Sequence, residues 1–233
     1  MNEKFTRTEA LITSDGLKKL NNSHIVVCGC GGVGSYVFEA LVRSGVGKIT
    51  VIDNDVVSVS NINRQLIALD STVGKSKVEA AKSRAFDINP DAEVNAIAEF
   101  ITPDNVADII DTNVDYIIDA IDSVPAKVAL AVFAKQNSIN IIECLGTGNR
   151  LDATKFKIID VYKTSGCPLA KKMRVELKKA GVSSLDVLVS DAPVVKPDDI
   201  ITDGKRTVGS VAFVPSVAGL IIAGYVINKI LEN

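Results

Sequence analysis

The stretch His24-Ile25-Val26-Val27-Cys28-Gly29-Cys30-Gly31-Gly32-Val33-Gly34 decides the fold. Its first five residues are a short apolar run that stops at glycines, the pattern of a strand buried on both faces of a parallel sheet. The next six match G-x-G-x-x-G and lead into a helical pattern over 34–46, with Val37, Leu41 and Val42 on one side. Glycines let the backbone turn tightly and approach a phosphate, and the amino end of the helix favours its negative charge. A second apolar run, KITVI at 48–52, ends at Asp53, 19 residues beyond Gly34. An acidic residue there meets a ribose hydroxyl in dinucleotide-binding units. Alone, the unit favours a dinucleotide oxidoreductase.

Outward from this unit, short apolar runs keep alternating with helical patterns. Helices are expected over 73–88, 103–111 and 125–136, and strands over 93–97, 116–121 and 140–144. The expectation is an α/β fold: a Rossmann-like, doubly wound, mostly parallel sheet. After Gly148 the rhythm changes. Residues 155–162 read as a half-exposed strand, 185–189 and 208–214 as further strands added antiparallel, residues 168–179 as a basic helix, and the acidic, proline-containing loop 191–206 as mobile. Residues 208–214 read as a buried strand, with a helix from 216 to about 231. We expect one domain over 1–233, with a nucleotide-binding half (1–150) and a substrate and dimerisation half (151–233).

Composition excludes several classes. A chain of 233 residues with 47% hydrophobic content can bury a full core. A net charge of −2 gives no protein-wide nucleic-acid surface, so any basic patch is local. Cysteines 28, 30, 144 and 167 include no C-x-x-C pair, so no zinc site is expected, and the compartment reads as reducing and cytoplasmic. Residues 208–227 carry no charge, but Pro215 splits them. A helix of about 15 residues spans only about 22 Å, too short for a bilayer, so membrane association is not expected.

The segment after Asp53 turns the reading away from redox chemistry. Asp53-Asn54-Asp55-Val56-Val57-Ser58-Val59-Ser60-Asn61-Ile62-Asn63-Arg64-Gln65 resembles the D-x-D-x-V-x-x-S-N-x-x-R-Q signature of the ubiquitin-activating-enzyme-like adenylating enzymes, the ThiF-MoeB-HesA superfamily. Residues 73–77 (VGKSK) look like that family's V-G-x-x-K, and 119–123 (DAIDS) like its D-x-x-D-[NS], in family order. The resemblance covers essentially the whole chain.

It implies a role for each matching residue. Gly29, Gly31, Gly32 and Gly34 would cradle the phosphates of ATP, and Asp53 would hold the ribose. Asp55 and Asn61 would line the nucleotide site. Arg64 and Lys77 would offset phosphate charge, with Gln65 supporting Arg64, and Asp122 would bind Mg2+. Arg7, before the first strand, would reach a partner subunit's nucleotide as an arginine finger in a homodimer. From the residues alone, Lys77 also reads as a solvated lysine beside Lys75 and Lys82, Arg7 as a surface residue, and Asp119 as a structural carboxylate at a strand end.

Within the superfamily, 5–12 (FTRTEALI), 167–174 (CPLAKKMR) and 209–220 (GSVAFVPSVAGL) are similar to the bacterial tRNA threonylcarbamoyladenosine dehydratases. That likeness implies ATP-dependent adenylation of a threonyl carboxylate on a tRNA nucleoside, followed by ring closure. The alternative within the fold is activation of a sulfur-carrier protein's terminal Gly-Gly, with a cysteine-desulfurase or sulfur-acceptor partner. A regulatory protein without turnover and a redox enzyme are the readings from other classes. The cations of 171–179 read either as a tRNA contact or as a solvated face. Cys167 reads as a plain helix-start residue or as a reactive thiol.

Overall fold

The strand β1 (His24–Cys28) is flanked on both sides, as its unbroken apolar run requires. It pairs in parallel with β2 (Lys48–Ile52) and with β4 (Tyr116–Asp119). β3 (Glu93–Ile97), β5 (Asn140–Cys144), β6 (Phe156–Asp160) and β7 (Asp186–Ser190) complete a seven-stranded sheet in the order β3-β2-β1-β4-β5-β7-β6. The computed structural model describes residues 3–196, 198, 200–202 and 205–232.

Side chains of β1 alternate between two cores. Ile25 and Val27 pack with Val37 and Leu41 of α2 (Gly34–Arg43), Val78 of α3 (Lys77–Ile88) and Ala218 and Ile222 of α7 (Phe213–Glu232). Val26 and Cys28 face Val106 of α4 (Val106–Ile109) and Leu130 of α5 (Val124–Gln136). A third cluster puts Met173 and Leu177 of α6 (Pro168–Lys179) against Val187 and Val189. Each buried Val, Leu, Ile or Met among them contributes about 1.5–3 kcal/mol by leaving water.

The doubly wound sheet is as expected, and several elements differ. β7 runs parallel to β5, so only β6 is antiparallel. The helix expected over 73–88 begins at Lys77. Gly74 has φ +84°, and the chain before the helix pairs with the loop after β2 instead: Val57 N–H donates to Lys75 O at 2.8 Å and Lys77 N–H to Asp55 O at 3.0 Å. The helix over 103–111 is a single turn, Val106–Ile109.

Residues 6–22 form a helix, α1 (Thr6–Asn22), that no apolar period announced, because Thr13 at φ +66° breaks it into two segments with different faces. No strand forms over 208–214. α7 starts at Phe213 and takes Pro215 into its first turn, where a missing N–H costs nothing. At 20 residues α7 is about 30 Å long, so it is not too short for a bilayer, contrary to expectation. One face of it packs on the sheet, with Val214, Ala218, Ile222, Ala223 and Val226 buried in the protein. Gly219 makes the packing close: a Cβ there would lie 2.5 Å from Val33 O of the glycine loop. In the loop 191–206, β8 (Ile201–Thr202) pairs with β9 (Lys205–Arg206). Its expected mobility falls partly on residues 197, 199, 203 and 204, outside the described ones.

Candidate active site

Strand order reverses between β1 and β4, and in open α/β sheets the ligand crevice lies there, beyond the carboxyl ends of the strands. A cavity of about 670 Å³ occupies this position, within the usual size for a small-molecule site. Gly29, Gly31 and Gly32 form one wall. Gly29 turns at φ +91°, and its N–H extends the sheet to Ile52 O at 2.7 Å. Gly34 lies behind the loop rather than in the cavity. A Cβ on it would stand 1.8 Å from Gly29 O, so glycine here permits the loop to close on α2. No side chain caps α2, whose amino end is thus suited to an anion.

Asp53 holds this wall in shape. Its Oδ2 accepts from Cys30 N–H at 2.7 Å and its Oδ1 from Asp55 N–H at 2.9 Å. The residue expected to meet a ribose therefore also ties the glycine loop to the segment carrying Asp55. Lys77, the first residue of α3, is 5% exposed, which excludes the solvated-lysine alternative. Its ammonium lies 2.6 Å from Asp55 Oδ2 and 3.8 Å from Asp53 Oδ1, inside the cavity lining.

Asn61, Arg64 and Gln65 reach the same cavity from the turn after β2. Asn61 Oδ1 accepts from Ser58 N–H at 3.1 Å and shapes that turn. Arg64 is not supported by Gln65 as expected. Its Nη1 donates to Ser60 O at 2.8 Å and to Asn63 Oδ1 at 2.9 Å. Asn63 in turn donates from Nδ2 to Ser210 O at 2.9 Å, joining Arg64 to the segment before α7. Gln65 is buried, with its amide below Gly31 and its Oε1 without a hydrogen-bond partner. Asp122 is exposed on the opposite wall, in the loop between β4 and α5.

Arg7 is not part of this constellation in its own chain. Phe5 packs beside Gly45, just before β2, so the start of α1 lies at the amino edge of the sheet, away from the cavity. The segment after β5 carried no site expectation from the sequence. Leu145, Gly146, Thr147 and Gly148 follow β5, with Val208, Ser210 and Pro215 beside them. The glycines after a strand were the available signal.

All four cysteines are buried and unpaired by disulfides. Burial, then the Asp53 charge, pushes the Cys30 thiol far up, and burial pushes Cys144 up to about 12. Neither forms a thiolate near neutral pH, so neither serves as a nucleophile. Among the described residues no three His, Cys, Asp or Glu side chains gather as a metal cluster.

The fold and this cavity, with Lys77 and Arg64 in its lining, are those of a nucleotide-binding α/β domain. The ThiF family matches residues 5–233, and the chain belongs to that family. It is 42% identical to the tRNA threonylcarbamoyladenosine dehydratase of Bacillus subtilis, over 100% of this chain and 96% of that protein. The crystal structure of the E. coli tRNA N6-threonylcarbamoyladenosine dehydratase TcdA with AMP superposes with a TM-score of 0.90. It is 36% identical and covers 98% of this chain and 94% of that one. The same E. coli protein with ATP gives the same TM-score and coverage at 35% identity.

Proposed function

We propose that this protein is an ATP-dependent tRNA threonylcarbamoyladenosine dehydratase. The observation that carries the reading is the buried Lys77 beside the glycine loop, with Arg64 on the adjoining turn, in a chain whose full-length relatives bear that name. ATP lies with its phosphates along Gly29, Gly31 and Gly32 and its ribose toward Asp53. A carboxylate oxygen of the threonyl group attacks the α-phosphorus, the bond to the β,γ-pyrophosphate breaks, and an acyl-adenylate forms. The carbamoyl group of the same nucleoside then attacks the activated carbonyl carbon. AMP leaves, the carbamoyl group gives up a proton, and a ring closes. Lys77 and Arg64 stabilise the charge that builds on the phosphates, and such fixed charge is commonly the largest catalytic term. No enzyme nucleophile is required, which fits the buried thiols of the glycine loop and β5.

Magnesium commonly binds through one or two carboxylates plus substrate phosphates. Asp122, exposed on the cavity wall, fits that donor set. The ion would add positive charge at the phosphates. Residues 1–150 would supply the nucleotide half and 151–233 the substrate side and the dimer contact, in a cytoplasmic enzyme acting on tRNA. A homodimer is supported by the exposed apolar side chains Ile200, Ile201, Val208, Phe213 and Leu220, of which Val208 lines the cavity. In that dimer Arg7 would reach the partner subunit's cavity. No observation favours the sulfur-carrier reading or its sulfur-acceptor partner. The decisive test is nucleoside analysis of modified tRNA after incubation with enzyme, ATP and magnesium. Loss of the threonylcarbamoyl nucleoside with equimolar AMP is expected. An unchanged nucleoside, with pyrophosphate release stimulated by a carrier protein instead, would overturn the reading.

A further inference from the structure

Beneath the far wall of the cavity lies a charged group that the proposed chemistry does not use. Asp119 ends β4, and Glu143, in register beside it on β5, lies one residue before the end of that strand. Side chains in register on neighbouring strands share a face, so the two carboxylates lie side by side. Lys127 comes down on them from α5. All three are fully buried, at 0% exposure. The Lys127 ammonium donates to Asp119 Oδ2 at 3.0 Å and to Cys144 O at 2.8 Å. Asp119 Oδ1 accepts from Ile121 N–H at 3.0 Å. One lysine thus joins the ends of the two strands from which the cavity's far wall departs: Ala120 to Ser123, carrying Asp122, and Leu145 to Gly148.

The charges do not balance if both acids are ionised. Two buried carboxylates against one ammonium leave a net negative charge out of water, which is costly. Glu143 Oε1 and Oε2 also have no donor in reach. A single proton on Glu143, donated to Asp119, removes the excess charge and satisfies both sides. Burial, then the Asp119 charge, pushes the Glu143 carboxyl well above its ordinary range, in agreement with this arrangement. The groups facing Glu143 are Asp119 and Lys127, with Cys28 next to Asp119 in the same row and Val187 on its other side.

We propose that Lys127 is a positioning residue which, with Asp119 and a neutral Glu143, locks the Asp122 loop to the Gly146–Gly148 loop and so sets the geometry of the reaction. The role in turnover rests on the dehydratase reading. The nucleotide's other contacts, on the glycine loop and α3, are tied mainly through Asp53 and the segment after β2 rather than through Lys127. Lys127→Met should therefore lower kcat per folded molecule by about tenfold or more, while the Kd for ATP by calorimetry moves less than about threefold. Lys127→Arg, which keeps the charge and the donors, should restore part of kcat. A merely structural Lys127 would lower Tm yet leave kcat per folded molecule unchanged, and that result would overturn the positioning role.

Glu143→Gln supplies an amide donor in place of the carboxyl proton and tests neutrality without needing turnover. With its folded pKa raised, Glu143 costs stability as pH rises above its unfolded value, because the unfolded chain releases the proton and the folded one keeps it. The Tm of Glu143→Gln minus that of wild type should grow from about pH 5 to pH 8, starting near zero. A pH-independent loss of Tm would show that Glu143 is ionised and would sink the lock as drawn. If Lys127→Met does not fold, Lys127→Arg and Glu143→Gln carry the test. If wild-type enzyme leaves modified tRNA unchanged, the function is refuted, while the Tm series still decides the neutral lock.

Discussion

Lys77 and Asp55 meet at 2.6 Å in the mouth of the cavity, and the two are unequally buried. The lysine side chain is 6% exposed and the carboxylate 59%. A pair with one wet partner contributes little to stability, because solvent screens it. Asp53, 10% exposed and 3.8 Å away, is its drier second neighbour, and in the proposed mechanism this lysine meets the incoming phosphate. Lys77→Ala should lower turnover by about two orders of magnitude, the usual loss for one fixed charge donor, with circular dichroism and Tm near wild type. Steady-state kinetics at saturating ATP check this, and an unchanged kcat would remove Lys77 from the mechanism.

Arg64 depends on a neighbour that no motif names. Asn63 holds the Arg64 guanidinium at 2.9 Å and grips Ser210 O at 2.9 Å, so it spans the cavity from the turn after β2 to the segment before α7. Arg64→Ala should cost about two orders of magnitude in kcat. Asn63→Ala should cost about tenfold, the worth of one hydrogen bond to a charged group. Equal losses in both variants would indicate that Asn63 touches substrate itself.

The strands were legible because burial on both faces writes a near-continuous apolar run, as in HIVVC and KITVI. The order of motifs also marked most of the cavity lining. The features that stayed hidden depended on tertiary partners. The motif marked Lys77, but what buries it was not legible beside Lys75 and Lys82: the pairing of 55–57 with 74–77 turns it inward. Lys127 and Glu143 sit in apolar segments where one charge reads as a surface position. α1 escaped notice because Thr13 interrupts its period.

α6 narrows the question of how tRNA is held. Of its cations, Arg174 is engaged with Thr164 through both the carbonyl and the hydroxyl, and Lys179 pairs with Glu176 at 2.9 Å. Lys171, Lys172 and Lys178 remain exposed, on a helix whose first turn puts Leu169 at the cavity rim. Replacing Lys171 and Lys178 by alanine should weaken tRNA binding and flatten the slope of log K against log salt by about 1.4, for two lost phosphate contacts on single-stranded RNA. Filter binding across a salt series reads this, with ATP affinity as the control. An unchanged slope would make α6 an ordinary solvated face.

Arg7 lies at the amino edge of the sheet, so in its own chain it does not line the cavity at the carboxyl edge. Arg7 is then either a surface arginine or, as proposed, a residue that acts across a dimer, and subunit mixing tests which. Arg7→Ala and Asp122→Ala proteins, each nearly inactive alone, are combined under conditions where tagged subunits are seen to exchange. In a mixed dimer with sharing in trans, one site carries both changes and the other carries neither. Free exchange makes about half the dimers mixed, so activity should recover to roughly a quarter of wild type. If Arg7 instead serves its own chain, both sites of the mixed dimer stay damaged and activity remains at the level of the parents. A monomer by light scattering at assay concentration would remove the shared site, and with it the role given to Arg7.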